Sequence, residues 1–443
     1  MNDYAWLPSK MRYNDFSELR AASTVLKSHW PGGLQLGKSD FKSAFKTLPP
    51  SQEQRWLCYS LVFNPALQRH QVVPLYSQAF GSLGAVVAWY RTAMAVQHIM
   101  TNIFRLPVMI YVDDCFWLAP SFNRPEQPSA QWIQCVFEYV TQHLLGWSLD
   151  PDKSQVGDKL TILGLEIEFG PNDSRWALNP EKAAAWAQDI ELYLQQDRLL
   201  PAEASKLCGR LSFLNSHIFG KLGRALLRPI IWRQGQLYGG YKLTKRLAYS
   251  LRWFHYALRD DWVRILPYTP ENFDDQAILY SDAESNGNIA GVLIYKHRIW
   301  YQAGPISQQV RNLLQPRKTQ IIAYELLAAI SAIVMANSLL GDKVAVRHFI
   351  DNKPSRSCII KASSKSEDLN NLVGLLWYKC GRLLRRWWAY YVHSKDNVAD
   401  APSRGHFHLL KRWNAQEVPL DLSLVAEFAE SWMSSLDASA LFP

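Results

Sequence analysis

The chain has 443 residues, 48% of them hydrophobic, so we expect two or three domains with sizeable cores rather than a single small one. Lys and Arg number 48 against 39 for Asp and Glu, and the resulting net charge of +9 favours a polyanionic partner. The six cysteines are scattered with no Cys-x-x-Cys pair, which argues against a zinc ribbon or a disulfide framework and fits an intracellular protein.

Nothing at the start of the chain has the pattern of a signal peptide. The longest apolar stretch runs from Leu326 to Leu340, is interrupted by Ser331, Asn337 and Ser338, and is short for a bilayer span. It predicts a buried helix, and we expect no membrane association.

Near the N-terminus, Lys10-Met-Arg12 is followed by the acidic Asp15. A guanidinium fork at Arg12 suits phosphate oxygens. A solvated charged strand explains the same residues about as well.

The next pattern, Leu34-Gln-Leu-Gly-Lys-Ser-Asp40, predicts a strand that ends in a carboxylate, and Phe45 follows five residues later. Further along, Gln78-Ala-Phe80-Gly81 precedes a helical pattern. Glycine there would allow a ligand to approach the backbone closely.

The most informative stretch is Leu106-Pro-Val-Met-Ile-Tyr-Val-Asp-Asp-Cys-Phe-Trp-Leu118. Two apolar runs flank Asp113 and Asp114, which predicts a β-hairpin with the acidic pair at its tip. Adjacent buried carboxylates repel, and Mg²⁺ is a natural partner for their hard oxygens. An Asp-Asp turn in water is the alternative, and for this pair alone it is the stronger one.

Together these patterns resemble motifs A, B and C of reverse transcriptases, with the Tyr-x-Asp-Asp box at Tyr111–Asp114. Leu145 to Lys153 resembles motif D of that family, and Leu163-Gly-Leu-Glu-Ile167 resembles motif E. Five such segments in the family's order over residues 34–167 make the resemblance specific.

The resemblance implies that Asp40 and Asp113 bridge two Mg²⁺ or Mn²⁺ ions, with Asp114 as an outer ligand. The resemblance also implies four substrate contacts. Arg12 would contact the triphosphate, and the ring of Phe45 would exclude the ribose 2′-hydroxyl. Gly81 would allow a close approach of template or nucleotide to the backbone, and Lys153 would assist pyrophosphate departure. Core packing for Phe45 and a surface position for Lys153 are the alternatives.

Residues 1–33 resemble only part of the family's fingers subdomain, and we expect most of the fingers to be missing.

Helical patterns dominate from Pro180 to Arg259 and resemble the segment after the palm in DIRS-type, tyrosine-recombinase retroelements. Basic residues there are candidates for phosphate contacts, although a solvated helical face explains each one equally well; they are Lys206, Arg210, Lys221, Arg224 and Arg228.

A second acidic set follows. Asp282 ends a predicted strand before an Asn-Gly turn, Glu325 lies near the start of a helix, and Asp351 ends another strand. The segment from His393 to Arg404 contains Asp400. The order strand, helix, strand, helix resembles the ribonuclease H domain of retroelements, which implies two metal ions held by the four acids. Pro402 replaces the leucine expected in that last segment.

The sequence therefore predicts a mixed α/β (α+β) fold. The predicted segments are partial fingers at 1–33, a palm with an antiparallel sheet at 34–170, a helical thumb or connection at 171–270, a ribonuclease H-like domain at 271–410 and a helical tail at 411–443.

The expected function is RNA- and DNA-templated DNA synthesis with cleavage of RNA–DNA hybrids, using an RNA template, a DNA primer, dNTPs and two Mg²⁺ or Mn²⁺ ions per site. Two alternatives are a non-catalytic nucleic-acid scaffold and a chain with ribonuclease H activity only.

Overall fold

A computed structural model of the chain describes residues 11–78, 82–121, 129–260, 262–268, 275–341, 344–379 and 387–426. The fold is mixed α/β with several sheets. The chain forms two compact units. The first unit comprises the described parts of Met1–Asn179 and Val263–Pro270, and the second comprises those of Pro180–Trp262 and Glu271–Pro443. The segment predicted at 171–270 is thus divided between them.

The first unit contains three α-helices and ten strands among the residues described, besides short 3₁₀ and π segments. The helices are α1 (Phe16–His29), α2 (Leu83–His98) and α3 (Ala130–Glu138). The strands are β1 (Leu34–Asp40), β2 (Tyr59–Asn64), β3 (Arg69–Pro74), β4 (Val108–Tyr111), β5 (Asp114–Pro120), β6 (Gln155–Gly157), β7 (Lys159–Ile162), β8 (Leu165–Phe169), β9 (Asp173–Leu178) and β10 (Val263–Pro267).

The central sheet of this unit has the strand order β4-β5-β1-β6. Strand β5 is apolar over most of its length, because it packs on both α1 and α3, while α2 packs on the neighbouring β4. The core beside α2 and α3 is aromatic, with fully buried Trp89, Trp117 and Phe137. This packing fixes the ends of β1 and β5, where acidic residues lie.

A second sheet has the order β10-β9-β8-β7. Leu163 and Gly164 both have positive φ angles, of 47° and 88°, in the two-residue turn between β7 and β8. Such a turn matches the right-handed twist of the flanking strands. Strands β9 and β10 are antiparallel neighbours, with Ala177 opposite Val263, although residues 180–262 separate them in the chain.

The second unit begins with four helices, as the apolar spacing predicts. They are α4 (Pro180–Gln195), α5 (Pro201–His217), α6 (Arg224–Gln234) and α7 (Lys245–Arg259). The side chain of Thr244 accepts a hydrogen bond from the Leu247 N–H and so begins α7. Asn370 donates from its amide to the Ala225 carbonyl at 2.9 Å, which joins these helices to the rest of the unit.

The remainder of this unit is a six-stranded sheet with helices. Its strands are β11 (Asp275–Ala283), β12 (Asn288–Tyr295), β13 (Arg298–Pro305), β14 (Val344–Ile350), β15 (Trp387–Tyr391) and β16 (Gln416–Glu417). Its helices are α8 (Gln308–Arg311), α9 (Ile321–Leu339), α10 (Lys353–Lys361), α11 (Glu367–Lys379), α12 (Asp400–Ser403) and α13 (His408–Arg412). The order is β15-β14-β11-β12-β13-β16, and β11 pairs in parallel with β14 and antiparallel with β12.

Helix α9 is the predicted buried helix. It is long and apolar enough to cross a membrane by length and composition, but 72% of its apolar window is buried in the protein, as in the core helix of a soluble domain. The helical tail predicted at 411–443 is only partly described. Residues 411–412 and 423–426 are helical, residues 416–417 pair with β13 as a short strand, and residues 427–443 lie outside the described part.

Candidate metal centres

The first group of acids, here called the N-terminal cluster, consists of Asp40, Asp113 and Asp114. Asp40 ends β1 and lies directly opposite Asp114, the first residue of β5. Tyr111 pairs with Asp114 across the hairpin, so Asp113 lies in the two-residue turn between them. Strand pairing therefore brings these three acids to one edge of the central sheet.

Electrostatic repulsion is evident within the N-terminal cluster. Asp114 reaches solvent, but the protein atoms around it desolvate its carboxylate and raise its pKa to about 6, with further contributions from Asp113 and Asp40. Burial also raises the pKa of Asp113, and the charge of Asp40 adds to this. A cation would relieve the strain that such neighbouring negative charges impose.

Lys153 supplies one such cation. Its Nζ donates a short hydrogen bond to Oδ2 of Asp40, and this bond together with the negative charge of Asp40 raises the pKa of Lys153. The lysine predicted to assist pyrophosphate departure is thus brought to the acids, while 60% of its side chain remains exposed.

A small cleft of about 80 Å³ lies beside the N-terminal cluster, and its lining includes Asp40, Asp114, Lys153 and Lys38. Lys38 donates to the Thr161 carbonyl at 3.1 Å, and burial lowers its pKa. Lys38 was not among the residues predicted for the site. Its signal was its place two residues before Asp40 on the same strand, which puts both side chains on one face.

The second group, here called the C-terminal cluster, consists of Asp282 on β11, Glu325 on α9, Asp351 directly after β14 and Asp400 at the start of α12. Carboxylate oxygens of the first three lie within 4.8 Å of one another. No other group of three such ligands, the N-terminal cluster included, meets this distance in the part of the chain that the structure describes.

Burial dominates the electrostatics of the C-terminal cluster. Glu325 is only 3% exposed, and desolvation raises its pKa to about 9, with added repulsion from Asp282 and Asp351. Desolvation likewise raises the pKa of Asp282 to about 7. Two buried acids held this close are costly unless they share a proton or a cation.

Hydrogen bonds orient Asp282. The Ser403 hydroxyl donates to one of its oxygens at 2.7 Å, and the Asn397 amide donates to the other at 3.2 Å. Both residues lie in the predicted segment from His393 to Arg404, but the sequence analysis assigned neither a role. Asp400 lies at the edge of the cluster and forms an ion pair with Arg404 at 2.8 Å.

The residues present fit a divalent cation. In the C-terminal cluster, Oε2 of Glu325 is buried and has no hydrogen-bond partner among the described residues. Three hard carboxylate oxygens, one from each of Asp282, Glu325 and Asp351, are donors of the kind that Mg²⁺ and Mn²⁺ prefer.

The predicted substrate contacts are only partly assembled. Arg12 is exposed and lies 3.6 Å from Glu18, while its backbone exchanges two hydrogen bonds with the Tyr90 hydroxyl of α2. Phe45 is half-buried and packs against the aromatic core, with its ring centroid 6.5 Å from that of Trp89. Gly81, like Lys10, lies outside the described residues.

The five basic residues proposed for phosphate contacts have different surroundings. Lys206 and Arg224 are exposed, whereas Arg210 forms an ion pair with Asp189 at 2.6 Å. Lys221 lies over the rings of Trp377 and Trp388, and Nε of Arg228 is buried without a hydrogen-bond partner among the described residues.

Comparisons with models of known protein families and with curated proteins found no match for this chain.

Proposed function

We propose that this chain is a retroelement reverse transcriptase with ribonuclease H activity, most similar to the DIRS type. It would copy RNA and DNA templates from a DNA primer with dNTPs and cleave the RNA of RNA–DNA hybrids. The observation that carries the proposal is the convergence of Asp282, Glu325 and Asp351, together with the buried, unpartnered oxygen Oε2 of Glu325. The chain order of the N-terminal cluster and its pairing across β1 and β5 support the polymerase half.

In the proposed ribonuclease H site, the four acids of the C-terminal cluster would hold two Mg²⁺ or Mn²⁺ ions, which supply Lewis-acid activation of water and stabilise charge on phosphate. Ser403 and Asn397 hold both oxygens of Asp282 and so fix the direction of its carboxylate. Glu325 must lose its proton to bind a metal, because a protonated carboxyl group is a poor ligand.

In the proposed polymerase site, Asp40 and Asp113 would hold the ions and Asp114 would orient the site. Lys153 donates to Asp40, and its ammonium group would neutralise charge on departing pyrophosphate or donate a proton to it. Phe45 would restrict the space beside the ribose, and Arg12 would contact the triphosphate.

A specific observation favours a second candidate, ribonuclease H activity alone. Three acids of the C-terminal cluster lie within 4.8 Å of one another, whereas the three carboxylates of the N-terminal cluster do not, and Lys153 forms an ion pair with Asp40 there. A non-catalytic scaffold has less support, because all seven predicted acids are present.

Two variants separate these candidates. Asp113→Asn should abolish primer extension and spare hybrid cleavage, whereas Asp351→Asn should do the reverse. Matched controls are Asp158→Asn, an exposed acid in the first unit, and Asp275→Asn, at the opposite end of β11 from Asp282. Both controls should retain both activities.

The outcomes distinguish the two candidate functions. Cleavage that depends on Asp351 in a chain that never extends a primer supports ribonuclease H alone. If Asp351→Asn cleaves hybrids at the parental rate and Asp113→Asn extends primers at the parental rate, both candidate functions are overturned.

A further inference from the structure

Trp89 lies on α2, far from the acids in the sequence, yet its side chain contacts the turn that carries Asp113. It is fully buried, and its indole Nε1–H donates to the backbone carbonyl of Val112 at 2.7 Å. That carbonyl belongs to the peptide unit that joins Val112 to Asp113. Because a peptide unit is planar, fixing its oxygen also fixes the orientation of the Asp113 N–H and the start of the Asp113 residue.

The turn needs such support because its backbone is strained. Val112 has a φ of +57°, in the left-handed region where a β-branched residue is a genuine outlier. Asp113 does not share this positive φ, and glycine is the usual residue at the first position of a two-residue turn in which only that position has a positive φ. A strained conformation of this kind persists only when the surrounding structure over-determines it.

The same indole also packs beside the other acid-bearing strand. Its ring meets that of Phe41, the residue after Asp40, edge-on at 4.9 Å between centroids, and it meets Trp147 at 6.0 Å. Phe41 is held in turn by a bridge to Leu149, and the Asp150 N–H donates to the Asp40 carbonyl at 2.8 Å. One side chain thus contacts the segments that carry Asp40 and Asp113.

We propose that Trp89 is a positioning residue for the metal site of the N-terminal cluster: its hydrogen bond to Val112 holds the strained turn in the conformation that directs the Asp113 carboxylate toward Asp40. The inference rests on the proposed polymerase function. Groups that orient metal ligands without touching the ion commonly contribute a factor of about 10 to 100 in affinity.

The chain offers a matched control in Trp117. It is also fully buried, belongs to the same aromatic core, and donates from its indole to a backbone carbonyl, that of Ala130, at 2.9 Å. It lies on β5 three residues beyond Asp114 and has no contact with the turn in the hydrogen-bond and ring contacts described. Trp→Phe at either position removes one buried indole donor and a similar volume.

The measurement is a Mn²⁺ titration of the full chain by isothermal calorimetry, with Asp351→Asn present throughout to weaken the C-terminal cluster. We expect Trp89→Phe to weaken Mn²⁺ binding at the N-terminal cluster about tenfold or more. Trp117→Phe should leave it within about twofold, although thermal denaturation should show a comparable loss of stability in both. Equal Mn²⁺ affinity in the two variants would overturn the inference.

A second variant tests the turn itself. Glycine adopts a φ of +57° without strain, so Val112→Gly should restore part of the Mn²⁺ affinity when added to Trp89→Phe. A role of Trp89 in core packing alone predicts no such rescue. If Trp89→Phe does not fold, 3-benzothienylalanine at position 89 keeps the shape of the indole and removes only its N–H, and the same loss of affinity is expected.

Asp113→Asn separates failure of the inference from failure of the proposed function. If Asp113→Asn weakens Mn²⁺ binding and Trp89→Phe does not, only the role of Trp89 is wrong. If Asp113→Asn leaves Mn²⁺ binding unchanged, the N-terminal cluster is not the metal site, and both proposals fail for this half of the chain.

Discussion

Glu325 and Asp282 are buried acids that the fold holds at a cost in stability. Their pKa values are raised to about 9 and about 7, so the folded chain binds their protons more tightly than the unfolded chain does. The resulting loss of stability is absent below the unfolded pKa values of about 4, grows as pH rises, and is complete above pH 9. Such a cost is typical of functional sites.

We therefore predict that Glu325→Gln raises the melting temperature of the metal-free chain at pH 8 to 9. The gain should be at least about 1 kcal/mol, since one pKa unit corresponds to that energy. At pH 4 the gain should vanish, because both forms are then neutral. Differential scanning fluorimetry in EDTA across this pH range measures it. A variant that is less stable at every pH would contradict the prediction.

Metal affinity should rise with pH while the stability of the metal-free chain falls, because both depend on the loss of the same protons from Glu325 and Asp282. A cation binds the deprotonated acids, so Mn²⁺ affinity at the C-terminal cluster should rise as pH increases from 6 to 9. A Mn²⁺ titration of the Asp113→Asn chain at several pH values measures this rise. An affinity independent of pH across that window would mean that Glu325 and Asp282 do not ligate the ion.

Lys153 competes with any cation for Asp40. We predict that Lys153→Ala strengthens Mn²⁺ binding at the N-terminal cluster about two- to fivefold, the range expected for a largely exposed ion pair. If Lys153 also assists pyrophosphate departure, primer extension should slow in the same variant. Lys159→Ala removes an ion pair of similar exposure, with Glu166 at 2.8 Å, and should change neither property.

At this scale the sequence could identify the acids but not their partners. Asp40, Asp113 and Asp282 are recognisable because an apolar strand that ends in a carboxylate is a local pattern. The Lys153–Asp40 pair and the Trp89–Val112 hydrogen bond join residues far apart in the chain, and nothing in the local sequence of either partner specifies the other.

Among the elements, the hairpin of β2 and β3 is the least supported by packing. Leu61 and Val72 lie opposite each other across it, and each is 66% exposed. A two-stranded sheet alone is marginally stable in water, and exposed apolar edges promote aggregation.

We predict that Leu61→Lys reduces aggregation, measured by light scattering on heating, and changes the free energy of unfolding by less than about 0.5 kcal/mol. Hybrid cleavage should be unchanged. Leu36→Lys, at a fully buried position on β1, is the contrasting variant and should prevent stable folding of the first unit. Aggregation of Leu61→Lys at the parental temperature would show that the hairpin is not the exposed element responsible.

Element type was predictable where periodicity is strong, as in α4 to α7 and in the strands that carry the acids. The pairing of β9 with β10 was not. Val263–Pro267 is a five-residue strand, interrupted by Arg264, after a long helical segment, and its partner lies before that segment. Loop length and propensity carry no information about pairing between strands so far apart in the chain. Both β9 and β10 were therefore predicted to lie in the helical segment at 171–270.

For the whole molecule, charge sets the response to salt. With a net charge of +9, binding to an RNA–DNA hybrid should release counterions and weaken by at least about tenfold between 50 and 200 mM NaCl. Fluorescence anisotropy with a labelled hybrid, in EDTA to prevent cleavage, measures this dependence. Affinity that is insensitive to salt would argue against phosphate contacts as the basis of binding.

The position of β10 has a consequence for how the chain folds. The first unit cannot complete its second sheet until residues 180–262 have been synthesised and the chain has returned to β9. Closing so long a loop costs less entropy once its helices are compact, so early helix formation in α4 to α7 shortens the effective search. We expect strand β10 to dock late, which leaves the free edge of β9 as the last backbone surface of the first unit to gain hydrogen-exchange protection.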